Sequence, residues 1–98
     1  MEARNQLRGL MDAKGKLTGF PAKRKKKLYA LLYLAEKLEP ERNYSEREIN
    51  ETLRLWHTFD DPATLRRELY DNFFVDRDPE GRIYRLAEPQ PDPRKLGL

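Results

Sequence analysis

The sequence predicts an α+β, mainly helical fold, and three observations indicate it. A leucine-rich stretch of helical spacing comes first, two segments with strong helix-start signals follow, and two apolar-bearing runs then flank a tight turn. The order helix, helix, helix, hairpin is typical of a winged helix-turn-helix, in which a two-stranded wing follows the third helix. We expect this domain over residues 20–87, a short N-terminal extension over 1–19 and a proline-rich tail over 88–98.

The composition limits the kind of protein. A chain of 98 residues has room for one domain with one modest core. It contains no cysteine, which excludes disulfides and cysteine nucleophiles. No apolar run approaches the roughly 18 residues of a membrane span, and the N-terminus lacks the apolar core of a signal peptide. A cytoplasmic protein with no membrane contact is therefore expected.

The net charge of +3 hides a division along the chain. Residues 1–27 carry nine basic and two acidic side chains, a balance of +7, whereas residues 28–98 carry eleven basic and fifteen acidic ones, a balance of −4. The positive charge is thus concentrated in the N-terminal quarter, and the region of the predicted helix-turn-helix is locally acidic.

The first helix of the domain is predicted between Pro21 and Leu38. Proline fits a first helical turn, where its missing N–H has no partner to lose, and Pro40 ends the pattern. A shorter helix over residues 5–14, ended by Gly15, is predicted before it. The apolar stripe of the main helix has helical spacing and consists of Leu28, Leu31, Leu32, Ala35 and Leu38.

The second helix has the strongest start signal. Ser45 as N-cap and Glu48 three residues later form a capping box, and Tyr44 and Ile49 form a hydrophobic staple around it. The helix is expected to end near His57. Its apolar face consists of Ile49, Leu53 and Trp56.

The third helix begins with Asp61 as N-cap and Pro62 at its first position. The helical wheel places Leu65 and Leu69 on the core face, with Phe73 near them. We predict that Leu31, Leu53, Leu65 and Leu69 share one core with Trp56. The outward face carries Ala63, Thr64, Arg67, Tyr70 and Asp71.

The hairpin follows directly. Phe74–Arg77 and Arg82–Leu86 have strand composition, and Asp78-Pro79-Glu80-Gly81 suits a type I turn. Pro89, Pro91 and Pro93 then predict an extended or mobile tail.

Four separated pieces of the chain also carry a family resemblance. They are Phe20–Lys27, Tyr44–Asn50, Leu65–Leu69, and Asp76-Arg77 with Gly81 and Tyr84. The segment from Phe20 to Arg85 resembles a bacterial family known as domain of unknown function 2087. The resemblance implies a winged-helix-like domain that occurs alone or attached to the helix-turn-helix of a transcriptional regulator, and it implies no established activity or catalytic residues.

One functional hypothesis is a non-enzymatic DNA-binding regulator, or its accessory domain. Arg67 would read a guanine edge in the major groove, and Thr64 or Tyr70 would contact backbone or thymine. Arg77 and Arg82 at the wing tip would hold phosphates. The basic cluster at the start of the first helix, Lys23, Arg24, Lys25, Lys26 and Lys27, would hold further phosphates.

Simpler readings of the same residues stay open. The basic cluster can be a solvated first turn whose stems cover apolar surface. Arg67 can pair internally with Asp71, and Arg66 with Asp76 or Tyr70.

The alternative hypothesis is a protein-interaction or dimerisation module on the same scaffold. Tyr29 and Tyr33 lie at i and i+4 beside the leucine stripe, so they are expected to form an exposed aromatic ridge. Such a ridge suits a homodimer or another regulator protein as partner about as well as it suits packing against the N-terminal segment.

His57 is the chain's single histidine and is followed by Asp60 and Asp61. A metal site or a catalytic base would need a second ligand set or a positioned nucleophile, and neither is present. No catalytic residues, no metal and no cofactor are therefore expected. His57 is interpreted as a residue at the end of the second helix, where the helix dipole favours it.

Overall fold

The computed structural model describes residues 2–98, and the α+β class is confirmed. The elements in chain order are α1 (Glu2–Gln6), α2 (Arg24–Ala35), β1 (Tyr44–Ser45), α3 (Glu46–Arg54), α4 (Pro62–Asp71), β2 (Val75–Arg77) and β3 (Ile83–Leu86), and a 3₁₀ helix spans Pro93–Leu96. The arrangement is compatible with a winged-helix-like fold. No helix of the described chain has the length and apolar character needed to cross a membrane.

The sheet has three antiparallel strands in the order β1-β3-β2. Tyr44 pairs with Tyr84 across β1 and β3, and Val75 pairs with Leu86 across β2 and β3. The hairpin is as predicted, but β1 was not foreseen. It is only two residues long, and its residues coincide with the capping signal of the following helix, so no separate strand pattern exists in the sequence.

The helix α2 is shorter than predicted and far more buried. It begins at Arg24, after Lys23 in an extended conformation, and ends at Ala35. Tyr29 and Tyr33 are only 7% and 4% exposed, so the predicted exposed aromatic ridge is wrong. The Tyr33 hydroxyl donates a hydrogen bond to the Gly15 carbonyl oxygen at 2.7 Å, and its ring meets Trp56 edge-on. The N-terminal extension therefore covers this face of α2.

That extension is part of the core. Its helix lies at Glu2–Gln6 and not over 5–14, because Gly9 takes a φ of +82° and the chain turns there. Leu17 forms a bridge with His57: its amide donates to the Trp56 carbonyl at 2.8 Å and its own carbonyl accepts from Thr58 at 2.9 Å. Ala3, Leu7 and Leu17 are buried.

The predicted capping box of α3 is confirmed. The Glu48 amide donates to Ser45 Oγ at 3.1 Å, and the Ser45 amide donates to Glu48 Oε1 at 2.9 Å. Hydrogen bonds from the backbone and the side chain of Ser45 lower the pKa of the Glu48 carboxyl. Tyr44 and Ile49 on either side of the cap are buried.

The helix α4 begins as predicted and ends unexpectedly. The Thr64 amide donates to Asp61 Oδ1 at 3.2 Å, which caps the start. At the other end, the Phe73 amide donates to the Tyr70 carbonyl and the Phe74 amide to the Leu69 carbonyl, a Schellman motif. Phe73 occupies its left-handed position with φ +67° and is 76% exposed, whereas Phe74 is buried. Phe73 was expected near the core; the reversal at the helix end gives that place to Phe74.

The four predicted core leucines are all confirmed as fully buried in one cluster. Trp56 is partly buried and packs against this cluster. The tail also returns to the core, although an extended segment was expected. Leu96 and Leu98 pack against the cluster, and the Gln90 side chain donates to the carbonyls of Phe74 and Ala87.

Candidate nucleic-acid interface

A polar cavity of about 240 Å³ lies between α4 and the β2–β3 hairpin. We call it the arginine cavity, because three arginines contribute to its wall. It is lined by Glu46, Arg66, Arg67, Tyr70, Arg77, Glu80, Gly81 and Tyr84. Three residues that the sequence predicted separately for DNA binding, Arg67, Tyr70 and Arg77, are thus brought together here.

Arg66 has a structural role in this cavity. Its Nη1 donates to Asn50 Oδ1 at 2.6 Å, its Nη2 lies 3.4 Å from Glu46 Oε1, and its side chain is only 16% exposed. The internal pairing considered for Arg66 is confirmed, but its partners are on α3 and are not Asp76 or Tyr70. The reason is that Glu46 and Asn50, four residues apart, present one face of α3 to α4.

Arg67 is exposed on α4 and forms no salt bridge with any residue that the structure describes. The predicted alternative, a pair with Asp71, is therefore not formed. The Thr64 hydroxyl and amide lower the pKa of Asp61 by hydrogen bonding, and the nearby positive charge of Arg67 lowers it further. Thr64 is half-buried and committed to this cap.

Arg77 reaches the cavity from β2. Its Cζ lies 4.5 Å from the centroid of the Tyr70 ring, so the guanidinium stacks on an aromatic side chain of α4. The hydroxyls of Tyr70 and Tyr84 beside it raise the pKa of Arg77. Like Arg67, it makes no salt bridge within residues 2–98.

The hairpin tip is held by Asp78. Its Oδ1 accepts from the amides of Arg82 at 2.6 Å and Ile83 at 3.0 Å, and these bonds help to lower its pKa. The Gly81 amide donates to the Asp78 carbonyl, as the predicted type I turn requires, and Gly81 has a φ of +71° that favours glycine. Arg82 is exposed at the tip, outside the cavity wall.

The basic cluster, Lys23–Lys27, does not present five free charges on one face. Arg24 Nη1 donates to the Leu96 carbonyl and Lys26 Nζ to the Gln6 carbonyl, each at 3.2 Å. Lys27 Nζ lies 3.2 Å from Glu68 Oε1 of α4. Lys23 and Lys25 are exposed, and neither forms a salt bridge in the described part of the chain. Three of the five members are therefore engaged within the described chain, and Lys23 and Lys25 are the two whose charges stay available to a phosphate.

The Lys27–Glu68 pair also shows where the cluster lies. The start of α2 is beside one flank of α4, and the hairpin, whose Arg77 stacks on Tyr70, is at another flank. Arg67 lies on the exposed surface of α4 between them. Acidic groups share this surface: Asp71 is exposed, and Glu80 lines the cavity.

His57 is a buried connector. Its Nε2 accepts from the Asp61 amide at 2.9 Å, so its Nδ1 carries the proton and donates to the Leu53 carbonyl at 2.7 Å. Both ring nitrogens thus join the end of α3 to the start of α4. Within residues 2–98, no group of three or more histidine, cysteine or acidic side chains is placed to hold a metal ion.

Sequence reasoning from the residues alone missed Tyr84 and Gly81 in the cavity wall. In β3, Tyr84 and Leu86 are buried and their neighbours are exposed, but the exposed Ile83 is apolar, so the residue types of the strand gave only a weak signal for which side chains face α4. Glu46 and Glu80 gave no comparable signal.

Comparison with known proteins identifies a family. The model of a family described as "Uncharacterized protein conserved in bacteria (DUF2087)" matches residues 16–86, which include every residue of the cavity wall. No curated protein matches the chain, and no solved structure matches it either. The chain belongs to this family of uncharacterized bacterial proteins.

Proposed function

We propose that this family member is a DNA-binding protein of the bacterial cytoplasm, a small transcriptional regulator or the accessory domain of one, which acts without catalysis on a winged-helix scaffold. In this proposal α4 enters the major groove and the hairpin contacts the backbone beside it. The observation that carries the proposal is the arginine cavity, where Arg67 and Arg77 lack carboxylate partners among the described residues.

Two guanidinium groups in one concave site repel each other unless an anion lies between or beside them. A guanidinium matches the geometry of a phosphate because it donates two parallel N–H bonds. The stacking of Arg77 on Tyr70 orders this side chain before binding, so less conformational entropy is lost when it holds a phosphate.

The remaining proposed contacts with DNA are made by residues on the two sides of α4 and on α4 itself. Lys23 and Lys25 would hold phosphates on one side, and Arg82 at the hairpin tip would hold one on the other. Arg67 is the side chain of α4 suited to a guanine edge, and the half-exposed Tyr70 offers a hydroxyl to the backbone.

The acidic groups on this surface weaken the field that attracts DNA. Asp71 and Glu80 lie near the arginines, so a single copy is expected to bind weakly. Two copies bound to half-sites about one helical turn apart would double the phosphate contacts.

The test is binding of the 98-residue protein to random duplex DNA across a salt series. Phosphate contacts by Lys23, Lys25, Arg77 and Arg82 predict a slope of log affinity against log salt of about −3.6. Lys25→Gln should weaken all sequences alike and reduce the slope by about 0.9, whereas Arg67→Gln should change sequence preference.

A matched control is Arg42→Gln. Arg42 lies in the loop after α2, at the end opposite the basic cluster, and is already paired with Glu39. Its loss should leave both affinity and slope unchanged. Absence of duplex binding even at low salt, where phosphate binding is strongest, would refute the proposal.

A further inference from the structure

The Phe73 ring is exposed to solvent, and its backbone adopts a left-handed conformation that is unfavourable for phenylalanine. It is 76% exposed with φ +67°, at the position of a Schellman motif where glycine is most common. The ring gains almost no burial there, and glycine would adopt this backbone conformation at a lower free-energy cost. The side chain therefore contributes nothing to the fold that would offset its conformational cost.

The surroundings of the ring are acidic. Phe73 lines a concavity of about 320 Å³ together with Tyr70, Asp71, Val75 and Asp76. Asp71 and Asp76 are exposed, and neither forms a salt bridge with a described residue, although Arg85 is the cross-strand partner of Asp76. Asp71 is the last residue of α4, and the C-terminal end of that helix carries a partial negative charge.

We propose that this concavity docks a basic segment of a partner protein. An arginine or lysine of the partner enters it, with the charged head between Asp71 and Asp76 and the stem and cation against the Phe73 ring. The two carboxylates and the helix end repel a polyanion, so the surface suits a cationic protein and does not suit nucleic acid. Tyr70 lines both this concavity and the arginine cavity, whereas Phe73 and Asp76 line only this one, so these two residues test the inference separately from DNA binding.

The test uses the ¹⁵N-labelled full chain titrated with a hexa-arginine amide peptide, and a hexa-glutamate peptide as the negative probe. Amide shifts are expected to centre on residues 70–77. Phe73→Gly should weaken peptide binding about tenfold, and Phe73→Tyr should retain it.

Phe73→Gly also separates docking from a structural role. Because glycine suits the left-handed position, this variant should melt about 4 °C higher than the parent while binding less. A lower melting temperature would mean that the ring supports the fold, and would overturn the proposal.

The charge requirement is tested by Asp71→Asn and Asp76→Asn, each of which should weaken the peptide about threefold. The matched control is Asp60→Asn, since Asp60 is also exposed but lies in the turn between α3 and α4, 3.5 Å from Arg54 Nε. Equal affinity of Phe73→Gly and parent, or shifts centred elsewhere, would refute the docking site. Self-association that Phe73→Gly abolishes would assign the surface to a second copy instead, and binding of oligo(dT) that Phe73→Gly abolishes would assign it to nucleic acid.

Discussion

The basic cluster and the arginine cavity differ in what their positive charges do. The cluster is the densest run of charge in the sequence, yet Arg24, Lys26 and Lys27 are engaged with a tail carbonyl, an N-terminal carbonyl and Glu68. The cavity holds fewer cations, but Arg67 and Arg77 face one concave site without carboxylate partners in the described chain. The number of charges in a segment is therefore a poor guide to the charge available to a ligand.

The largest expected effect concerns the core that both regions share. Leu65→Ala should lower the free energy of unfolding by about 2–5 kcal/mol, because it leaves a cavity under α4. In urea unfolding, Trp56 fluorescence and circular dichroism should shift together, since α2 and α4 contact one cluster.

The control for this substitution is Leu55→Ala, an exposed leucine that should cost about 0.5 kcal/mol or less. Two separate transitions in Leu65→Ala would show that the two basic regions belong to independent folding units.

The next prediction tests whether the arginine cavity requires a guanidinium group whereas the basic cluster requires only a positive charge. Arg77→Lys keeps the charge but loses the planar group that stacks on Tyr70, so duplex affinity should fall about tenfold. Lys25→Arg, the reverse exchange in the basic cluster, should leave affinity within about twofold, because an exposed phosphate contact needs only charge. If both substitutions change duplex affinity equally in a filter-binding assay, the two regions do not differ in how they bind DNA.

A smaller effect is expected from the N-terminal cap of α3, because the first turn of this helix contributes Glu46 to the cavity wall. Ser45→Ala removes the α3 cap and should cost about 1 kcal/mol in chemical unfolding. It should also loosen the first turn, which carries the Arg66 partner Glu46. Ser45→Asp, another good N-cap, should retain most of the stability. No loss in Ser45→Ala would mean that the capping bonds have no energetic role.

The smallest effect concerns the link between the two regions. The Lys27–Glu68 pair is partly exposed, so Lys27→Gln should cost no more than about 0.5 kcal/mol, and less at high salt. Glu68→Gln is the matched control and should behave alike. A loss above about 2 kcal/mol in thermal unfolding would indicate that the basic cluster serves folding rather than binding.

Features with a local cause were predictable from sequence. The Ser45 cap depends on residues within one turn, and the core leucines on helical spacing, so both predictions hold. The exposed ridge of Tyr29 and Tyr33 was a wrong prediction, and packing against the N-terminal segment was the correct alternative. The sequence could not decide between the two, because the burial of Tyr33 depends on a carbonyl and a tryptophan distant in the chain. The prediction that Phe73 lies near the core was also wrong. The end of α4 lacks the glycine that usually marks a left-handed helix end, so no local pattern indicated that the chain turns there.

Several individual residues of the candidate site were predictable from sequence, but their meeting in one cavity was not. Arg67, Tyr70 and Arg77 were identified as outward-facing or as residues of the hairpin, which needs only periodicity and turn chemistry. Their meeting in one cavity with Tyr84 depends on the packing of the hairpin against α4. The engagement of Lys26 and Arg24 depends on where the chain ends run, which no local pattern specifies.

Those two contacts have a consequence for local unfolding. Lys26 donates to the carbonyl of Gln6 and Arg24 donates to that of Leu96, so one turn of α2 holds two segments that are 90 residues apart in sequence. If that turn of the helix opens, both contacts are lost together. Amide hydrogen exchange near Gln6 and near Leu96 should therefore respond to the same opening of α2.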